Sequence, residues 1–593
     1  MPGIVGLITR MPRERASSEL LRMVEALRHE PFYQTGTWSD ESMGVYVGWT
    51  ERKQPLVDTM PFRNERGDVV LVFSGEEFPD ARTAGPGKAH LVRRYEDDPS
   101  FPAGLNGRFQ GLVADRRHGT AVLFTDRYGM HRIYYHAGRE AFYFAAEAKA
   151  ILEVQPDRRR PDLRSMGELV ACGCVLENRT LFDGVGVVPG GAAWVFSHGT
   201  LERRASHFQP REWEEQEPLA PEAYYRELRD VFSAILPRYF AGPEPMAMSL
   251  TGGLDTRMIM AWRALAPGAL PCYTFGGMFR ECRDVRVARR VARVCGQPHE
   301  VIRVGQDFLS RFGHYAERAV YLADGCVDVS RSPDLYVNEQ ARDIAPIRLT
   351  GNYGGEVLRR VRAFKPKVRH PELFHPDFRA HVDAAASTYA EVLRGHPLSF
   401  TVFRQAPWHH YGLLALEETQ LALRSPYLDN DFVRTVYRAP ASAFASNDVC
   451  LRLIADGNPT LRRISTDRGY GGGAAGRWRA FLLGLEFKAE YAYDYGMPHW
   501  LARLDGLLSP LHPERLFLGR HKFNHFRVWY RDVLARWVQD VLLDRRSLAR
   551  PYLDPHRVQA MVAAHVRGRA NYTSELHKLL TLELIHRLFL DSR

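Results

Sequence analysis

The spacing of apolar residues changes its period along the chain, and those changes divide it. Up to about residue 205, short apolar runs such as Val69-Val70-Leu71-Val72-Phe73 and Ala121-Val122-Leu123-Phe124 stand between Gly, Asp and Pro turns, the pattern of strands. Helical spacing interrupts them near 17–28 and 87–96. From Gln209 to Pro221 the composition turns to Pro, Glu and Gln, which marks a linker between a domain over 1–208 and another over 222–593. Strand and helix patterns then alternate to about residue 355, as in a parallel sheet covered by helices, and the remainder is mainly helical. The cluster Gly469-Tyr470-Gly471-Gly472-Gly473 interrupts that helical part and has the composition of a loop that closes over a substrate. No internal repeat or low-complexity tract is visible.

Composition narrows the class. A chain of 593 residues is long enough for two or more domains, and without an apolar run of about eighteen residues it has no candidate membrane span. The start lacks a basic region followed by a long apolar core, so no signal peptide is expected. The seven cysteines are scattered and show no paired metal spacing, which fits a reducing cytoplasm. A net charge of +10 raises the question of nucleic acid, but the positive residues are dispersed, and the runs Arg158-Arg159-Arg160 and Arg359-Arg360 are short and far apart. They read as solvated surface. Lysine is scarce, with Lys488 and Lys522 the two in the stretch after the Gly cluster that bear on the chemistry below.

Candidate chemistry begins at residues 246–263, where a short apolar run leads into Leu250-Thr251-Gly252-Gly253-Leu254-Asp255-Thr256 and then into helical spacing. Glycines there allow a tight turn whose N–H groups approach a polyphosphate, and the following helix offers its positive end to the same anion. A Walker loop would offer a lysine. Here Asp255 stands among the glycines, and a carboxylate meets pyrophosphate only through a divalent cation. Attack at the α-phosphorus, with magnesium pyrophosphate leaving, suits that arrangement.

The motif resembles the pyrophosphate loop of the asparagine synthetase superfamily, S-G-G-L-D-S, with Thr251 and Thr256 in the hydroxyl positions. Further matches follow in the family's order. Pro271-Cys272-Tyr273-Thr274-Phe275-Gly276 is similar to the strand whose end, at Thr274, Phe275 and Gly276, holds the adenine. Glu281 to Glu300 resembles the next helix and strand start, and Leu349-Thr350-Gly351-Asn352-Tyr353-Gly354-Gly355-Glu356 falls where the family has L-S-G-E-G-S-D-E. Arg424-Ser425-Pro426-Tyr427-Leu428-Asp429 is similar to R-S-P-F-L-D. The N-terminal third resembles the family's glutaminase domain at Met1-Pro2-Gly3-Ile4-Val5-Gly6, at Asp126 to Tyr135 and at Glu147 to Ile151. The resemblance implies an α/β and α+β chain: an Ntn-type, glutaminase-like sheet sandwich, then an α/β ATP-pyrophosphatase synthetase domain with a helical C-terminal part. It also implies ATP and Mg²⁺ as cofactors.

Departures from the family pattern carry as much information. Where the family has a nucleophilic cysteine after Met1 the chain has Pro2, which offers no thiol to glutamine. The N-G-E oxyanion motif is Ser74-Gly75-Glu76, and Val47-Gly48-Trp49 is read in place of the H-E-R stretch that supplies a carboxylate-binding arginine. The N-terminal domain is therefore read as inactive. In the synthetase domain Asn352 replaces a Glu and Gly355 an Asp, so Tyr353 becomes the amine-side candidate and Glu356, with Asp255, the metal candidate. The family's catalytic lysine has no counterpart in Thr466-Asp467-Arg468-Gly469-Tyr470, which leaves Arg468 to neutralise the α-phosphate. The expected nucleotide set is Leu250, Thr251, Gly252, Gly253, Asp255, Thr256, Thr274, Phe275, Gly276 and Gly351, and the expected catalytic set is Asp255, Tyr353, Glu356 and Arg468. The activity expected is an AMP-forming amide ligase joining a small-molecule or peptide carboxylate to ammonia or a substrate amine rather than to glutamine nitrogen. Lasso-type macrolactam closure, a tRNA-modifying pyrophosphatase and a degenerate nucleotide-binding protein stay open, as do a homodimer and a complex with a peptide-processing partner. Neither a membrane nor nucleic acid is an expected partner.

Overall fold

The computed structural model describes residues 1–52, 59–79, 88–471, 473–508, 512–516 and 518–591. In its N-terminal third two six-stranded antiparallel sheets lie face to face. One is ordered Gly186–Val187, Tyr134–Ala137, Ala141–Ala145, Gly3–Thr9, Val45–Arg52, Tyr33–Asp40. The other runs Thr200–Ser206, Ala192–Ser197, Thr120–Thr125, Gly107–Asp115, Val69–Glu77, Phe62–Arg63. Strand Gly3–Thr9 shows why the sequence makes this layering, because every residue in it is buried. Ile4 and Ile8 join Phe73, Leu112 and Phe124 in the core between the sheets. Val5 and Leu7, pointing the other way, pack with Leu20, Val24 and Ile151 of the helices Arg13–Ala26 and Ala148–Val154. The other predicted helix of this region is His90–Asp97.

The segment read as a linker is packed down: Arg211–Glu214 is a short helix, and Trp213 lies 4.6 Å from Phe208, ring to ring, in the second core. Beyond it stands a five-stranded sheet ordered His299–Arg303, Cys272–Gly276, Met246–Ser249, Ile347–Leu349, Ala422–Arg424, all parallel. Helices carry the crossovers, as parallel pairing requires. The chain first steps outward from Met246–Ser249 and then returns to its other side at Ile347–Leu349, so the order reverses between these two strands. Loops leaving such a pair diverge and open a crevice at the carboxyl ends of the strands. That crevice receives residues 250–254 and 350–353. The remainder is helical, and in Thr573–Ile585 nearly every residue is buried. Among the described residues no helix is long and apolar enough to cross a membrane.

Charged groups weld the two parts together. Glu147 lies fully buried between His29 at 2.6 Å, Lys149 at 2.5 Å and the Met1 ammonium, and although burial raises its pKa these partners hold it well below the usual carboxylate range. Asp324, from the second part, completes the cluster: it lies 3.0 Å from Lys149 Nζ and accepts the backbone N–H groups of Ala148 and Lys149. Removing one partner of a buried pair leaves the other uncompensated, at a cost of about 3–5 kcal/mol. Asp324→Ala is therefore expected to lower the thermal midpoint strongly, and Asp324→Asn, which keeps an acceptor for the N–H groups, less so. Calorimetry on the two variants checks this, and equal midpoints would remove the cluster's role at the interface.

Candidate active site at the switch point

Asp255 opens the helix Asp255–Trp262 directly after the glycine loop, where the first N–H groups have no intrahelical partner. Its carboxylate makes a bidentate pair with Arg359, both N···O distances being 2.8 Å. Burial opposes the charge on Arg359, but the carboxylate prevails and raises the guanidinium pKa above its ordinary value. The second loop reaches this pair because its residues are small. A Cβ on Gly351 would stand 2.8 Å from Asp255 Cβ, and one on Gly354 2.7 Å from Asp255 Cγ. Between them Tyr353 adopts a left-handed φ of +70°, a conformation that costs energy for an L residue. Tyr427, of the stretch read as R-S-P-F-L-D, donates its hydroxyl to the Asp255 carbonyl at 2.7 Å.

On the other side the glycine loop is held by Gly252, whose N–H donates to Asp284 at 2.6 Å while its carbonyl accepts from Arg257 at 3.0 Å and from the Asp467 N–H at 3.2 Å. Asp284 and Asp467 are neighbours. Burial first, and then that like charge, push the Asp284 carboxyl up to about 7, against the opposing pull of the Gly252 N–H and Arg468.

A cavity of about 650 Å³ opens between the loops. Of the residues expected from sequence, Gly253, Asp255, Gly351, Tyr353, Glu356 and Arg468 line it. Leu250, Thr251, Gly252 and Thr256 belong to the same loop but not to the lining. Thr251 and Thr256 face each other, Oγ1 to Oγ1, at 3.2 Å, and Thr251 Oγ1 is the acceptor for the Gly253 N–H at 3.4 Å. The adenine set is also outside this cavity. Thr274 spends its hydroxyl on the Leu250 carbonyl at 2.7 Å and lies 2.8 Å from His299, so it ties two strand ends together. Phe275 and Gly276 lie beside it on the same strand.

Glu356 receives His410 Nε2 at 3.1 Å. Burial works against its charge, yet the hydrogen bond offsets this and leaves its pKa below the ordinary value. Tyr353 is buried, which drives its hydroxyl above the usual phenol range against the opposing charge of Arg108, so it remains a neutral phenol. Arg468 is exposed, with its guanidinium 4.3 Å from the Phe487 ring centre. Lys488 is exposed and outside the cavity, whereas Lys522 lines a neighbouring one. Of the glycine cluster, Gly472 lies outside the described residues. Gly469 and Gly471 have positive φ values of 85° and 99°, and the Thr466 N–H donates to the Tyr470 carbonyl at 2.9 Å. This loop is a tight turn at the cavity mouth.

Sequence reasoning missed Arg359, Arg331, His410 and Glu417. Arg359 is a correction: it was read as part of a solvated surface run, and it is the counter-charge of Asp255. Its place three residues after Gly354-Gly355-Glu356 was the available signal. Asp255 and Glu356 face one cavity and are the carboxylates that would hold Mg²⁺, an ion that takes one or two carboxylates together with phosphate oxygens. Among the described residues no cluster of three or more His, Cys, Asp or Glu side chains is arranged for a metal, so the phosphates would have to complete the coordination.

A smaller cavity of about 190 Å³ lies in the N-terminal domain at Pro2, Ser74, Gly75 and Glu76, as the motif reading placed them. Its arginine departs from that reading. Val47-Gly48-Trp49 is not in the lining, and Glu51-Arg52, three residues on, is, so the cavity keeps a guanidinium. Arg52 donates to the Glu418 carbonyl, and Glu76 pairs with Arg424 at 2.7 Å, so this cavity too is closed by the synthetase-like part.

The family model described as asparagine synthase matches residues 227–464 and 509–587, and the one described as a glutamine amidotransferase domain matches 91–208. A curated relative, amidase chry2 of Gibberella zeae, is 22% identical over 352 residues, covering 50% of this chain and 48% of its own length. The chain thus spans about half the length of that relative. A solved structure of the allosteric regulatory enzyme of purine biosynthesis is 9% identical with a TM-score of 0.26, covering 50% of this chain and 80% of that one. Glutamine phosphoribosylpyrophosphate amidotransferase from B. subtilis is 12% identical with a TM-score of 0.24, covering 50% and 65%.

Asp284 gives a pH test. Its folded pKa of about 7 lies above the ordinary carboxylate value, so the folded chain binds more protons than the unfolded one between those limits. The associated stability is full below about pH 4 and is lost as pH rises through 7. Asp284→Asn keeps an acceptor for Gly252 without the charge. Thermal unfolding at pH 5 and pH 8 is expected to show the variant gaining on the parent at both values, and by clearly more at pH 8; the same difference at both values would contradict the assignment.

Proposed function

The chain belongs to the asparagine synthase family, and from that premise we propose that it is an AMP-forming amide ligase that joins a carboxylate to an amine not taken from glutamine. The observation that carries this reading is the meeting of Asp255, Glu356, Arg359, Arg331 and Arg468 around one cavity at the switch point of a parallel sheet. In the proposed reaction a substrate carboxylate oxygen attacks the α-phosphorus of ATP, the bond to the bridging oxygen breaks, and pyrophosphate leaves with the electron pair. An amine nitrogen then attacks the acyl carbon, AMP departs, and the amine gives up a proton.

Each residue has a task in that scheme. Arg359 moves from Asp255 to phosphate oxygens, which a planar two-pronged donor can grip as it now grips the carboxylate. Arg468, permanently charged, neutralises charge that develops on the α-phosphate and takes no part in proton transfer. The pair of His410 and Glu356 receives the amine proton at the imidazole, oriented by the carboxylate at 3.1 Å. Mg²⁺, when bound with ATP, would supply charge neutralisation on the leaving pyrophosphate. Pro2 argues for an amine that arrives as ammonia or on the substrate, because it has no thiol to attack glutamine. One observation favours a second reading, a nucleotide-binding protein without turnover: Asp255 is already neutralised by Arg359.

Two experiments test this. Exchange of labelled pyrophosphate into ATP is expected to be abolished by Asp255→Asn with the fold intact, and to fall by roughly two to three orders of magnitude in Arg468→Ala, the usual scale for one donor to transition-state charge. Lys522→Ala serves as the comparison. A dead Lys522 variant beside an active Arg468 variant would move the catalytic cation, and parental exchange in Asp255→Asn would refute the loop assignment. In the second experiment, glutamate release from glutamine is measured with and without ATP. Background release is expected, and turnover that vanishes on deleting Pro2 would overturn the inactive assignment.

A further inference from the structure

The cavity at the loops shares Arg331, His410 and Leu413 with a second cavity of about 450 Å³, so the two are contiguous. Nothing in the nucleotide chemistry uses this second space. Its walls differ in character from the first: Tyr491, Tyr495, Phe523 and Phe526 contribute four aromatic rings. Lys522 sits among them, its ammonium 4.6 Å from the Tyr491 ring centre and 4.2 Å from that of Tyr495, and 3.7 Å from Asp494. The cation position against those tyrosines is thus already filled from within the protein.

Among the described residues, three in the wall carry buried polar atoms without a hydrogen-bond partner: His409 Nδ1, His521 Nδ1 and Asn524 Oδ1. His409 lies parallel to Phe364 at 5.2 Å, and burial lowers its pKa to about 3, so it is a neutral ring with one donor and one acceptor nitrogen. His521 already engages Glu486 through Nε2 at 3.1 Å, which leaves Nδ1 as its unused atom. Buried polar atoms are nearly always paired, and a cluster of exceptions around one cavity points to a ligand with hydrogen-bonding groups. At the junction stands Arg331, whose ion pair with Asp334 is long at 3.8 Å, the only ion pair it makes among the described residues. A carboxylate held there faces both cavities.

We propose that the second cavity binds the carboxylic-acid substrate, that this acid carries an aromatic ring bearing a polar substituent, and that Arg331 holds its carboxylate at the junction with the nucleotide cavity. The ring lies among Tyr491, Tyr495, Phe523 and Phe526, and its substituent meets His409, His521 and Asn524 after a small rotation of those side chains. The wall also holds Asp328, so a small acid with a second carboxylate, such as aspartate, would have to bring that charge against a like one and against aromatic faces. The assignment rests on the ligase reading for its use of the carboxylate, but binding tests it without turnover.

Equilibrium dialysis without ATP, using 4-hydroxyphenylpropanoate and aspartate as probes, is the experiment. The aromatic acid is expected to bind the parent at least about tenfold more tightly than aspartate, and Tyr495→Ala and Arg331→Gln each to weaken it by about tenfold, with affinity for magnesium ATP unchanged in Tyr495→Ala as the check on folding. Equal binding of the two acids, no binding of the aromatic one, or binding indifferent to Tyr495→Ala and Phe523→Ala would overturn the proposal. Pyrophosphate exchange with the same acids separates it from the ligase reading. Binding with these sensitivities but no exchange sinks the ligase reading and keeps the site, whereas exchange driven by aspartate with an unchanged KM in Tyr495→Ala sinks the site and keeps the ligase.

Discussion

The pair of Asp255 with Arg359 is the constraint on which the site depends. It joins the first residue of the helix after one loop to the last residue of the short helix Gly354–Arg359 after another, across the point where the strand order reverses. Two loops of a doubly wound sheet diverge by default, and here they are drawn together until side chains larger than hydrogen are excluded at Gly351 and Gly354. Tyr353 takes its left-handed conformation as part of the same approach. With the pair closed, the cavity walls are held on both sides before any ligand arrives.

The same logic extends to the N-terminal domain, which reaches the sheet through charged contacts to the strand end Ala422–Arg424 and the helix end before it. Arg424 turns to Glu76, and Glu418 receives Arg108 at 3.2 Å and His131 at 2.9 Å. Glu417, the preceding residue, lines the nucleotide cavity and pairs with Arg348 at 2.7 Å. One short stretch therefore carries both the interface and a wall of the site. A domain without a catalytic thiol still has a physical reason to be kept: without it Arg424, Glu418 and Asp324 would be charges at an uncovered face.

Fold and site were legible in the sequence to different depths. The glycine loop, its Asp255 and the partner loop at Gly351 were readable because local backbone requirements write themselves in glycine and in short motifs. Arg359 was not, because a guanidinium is long and its partner is chosen by tertiary approach; two adjacent arginines look alike in sequence whether they face water or a carboxylate. The arginine of the N-terminal cavity was missed for a related reason. Placing H-E-R at Val47-Gly48-Trp49 erred by three residues on a strand whose first six positions are all buried, so burial pattern gave no register, and only the cavity at Pro2 identifies Arg52. Thr274 shows the opposite failure. It lies on the strand that the motif implies, but its hydroxyl is consumed by the Leu250 carbonyl, a use that no motif records.

Charge balance inside the cavity decides what must accompany a nucleotide. Arg359 is matched by Asp255 and Glu417 by Arg348, so neither pair has net charge to offer. Glu356 is held by His410, and Asp467 adds a carboxylate near Asp284, whose burial and then that like charge already drive it toward neutrality. Against these stands Arg468, with Arg331, weakly paired, assigned above to the substrate carboxylate. A triphosphate entering such a site meets too little uncompensated positive charge to neutralise it, and the low dielectric of a partly buried cleft makes the shortfall costly. Breaking the Asp255 pair to free Arg359 for phosphate does not help by itself, since it exposes a carboxylate to the same anion. Under the proposed reading, a divalent cation held by Asp255 would supply the charge that makes the two changes favourable together. The closed pair keeps this part of the site neutral and assembled, and under the proposed reading an ion of the same sign would have to enter for it to open.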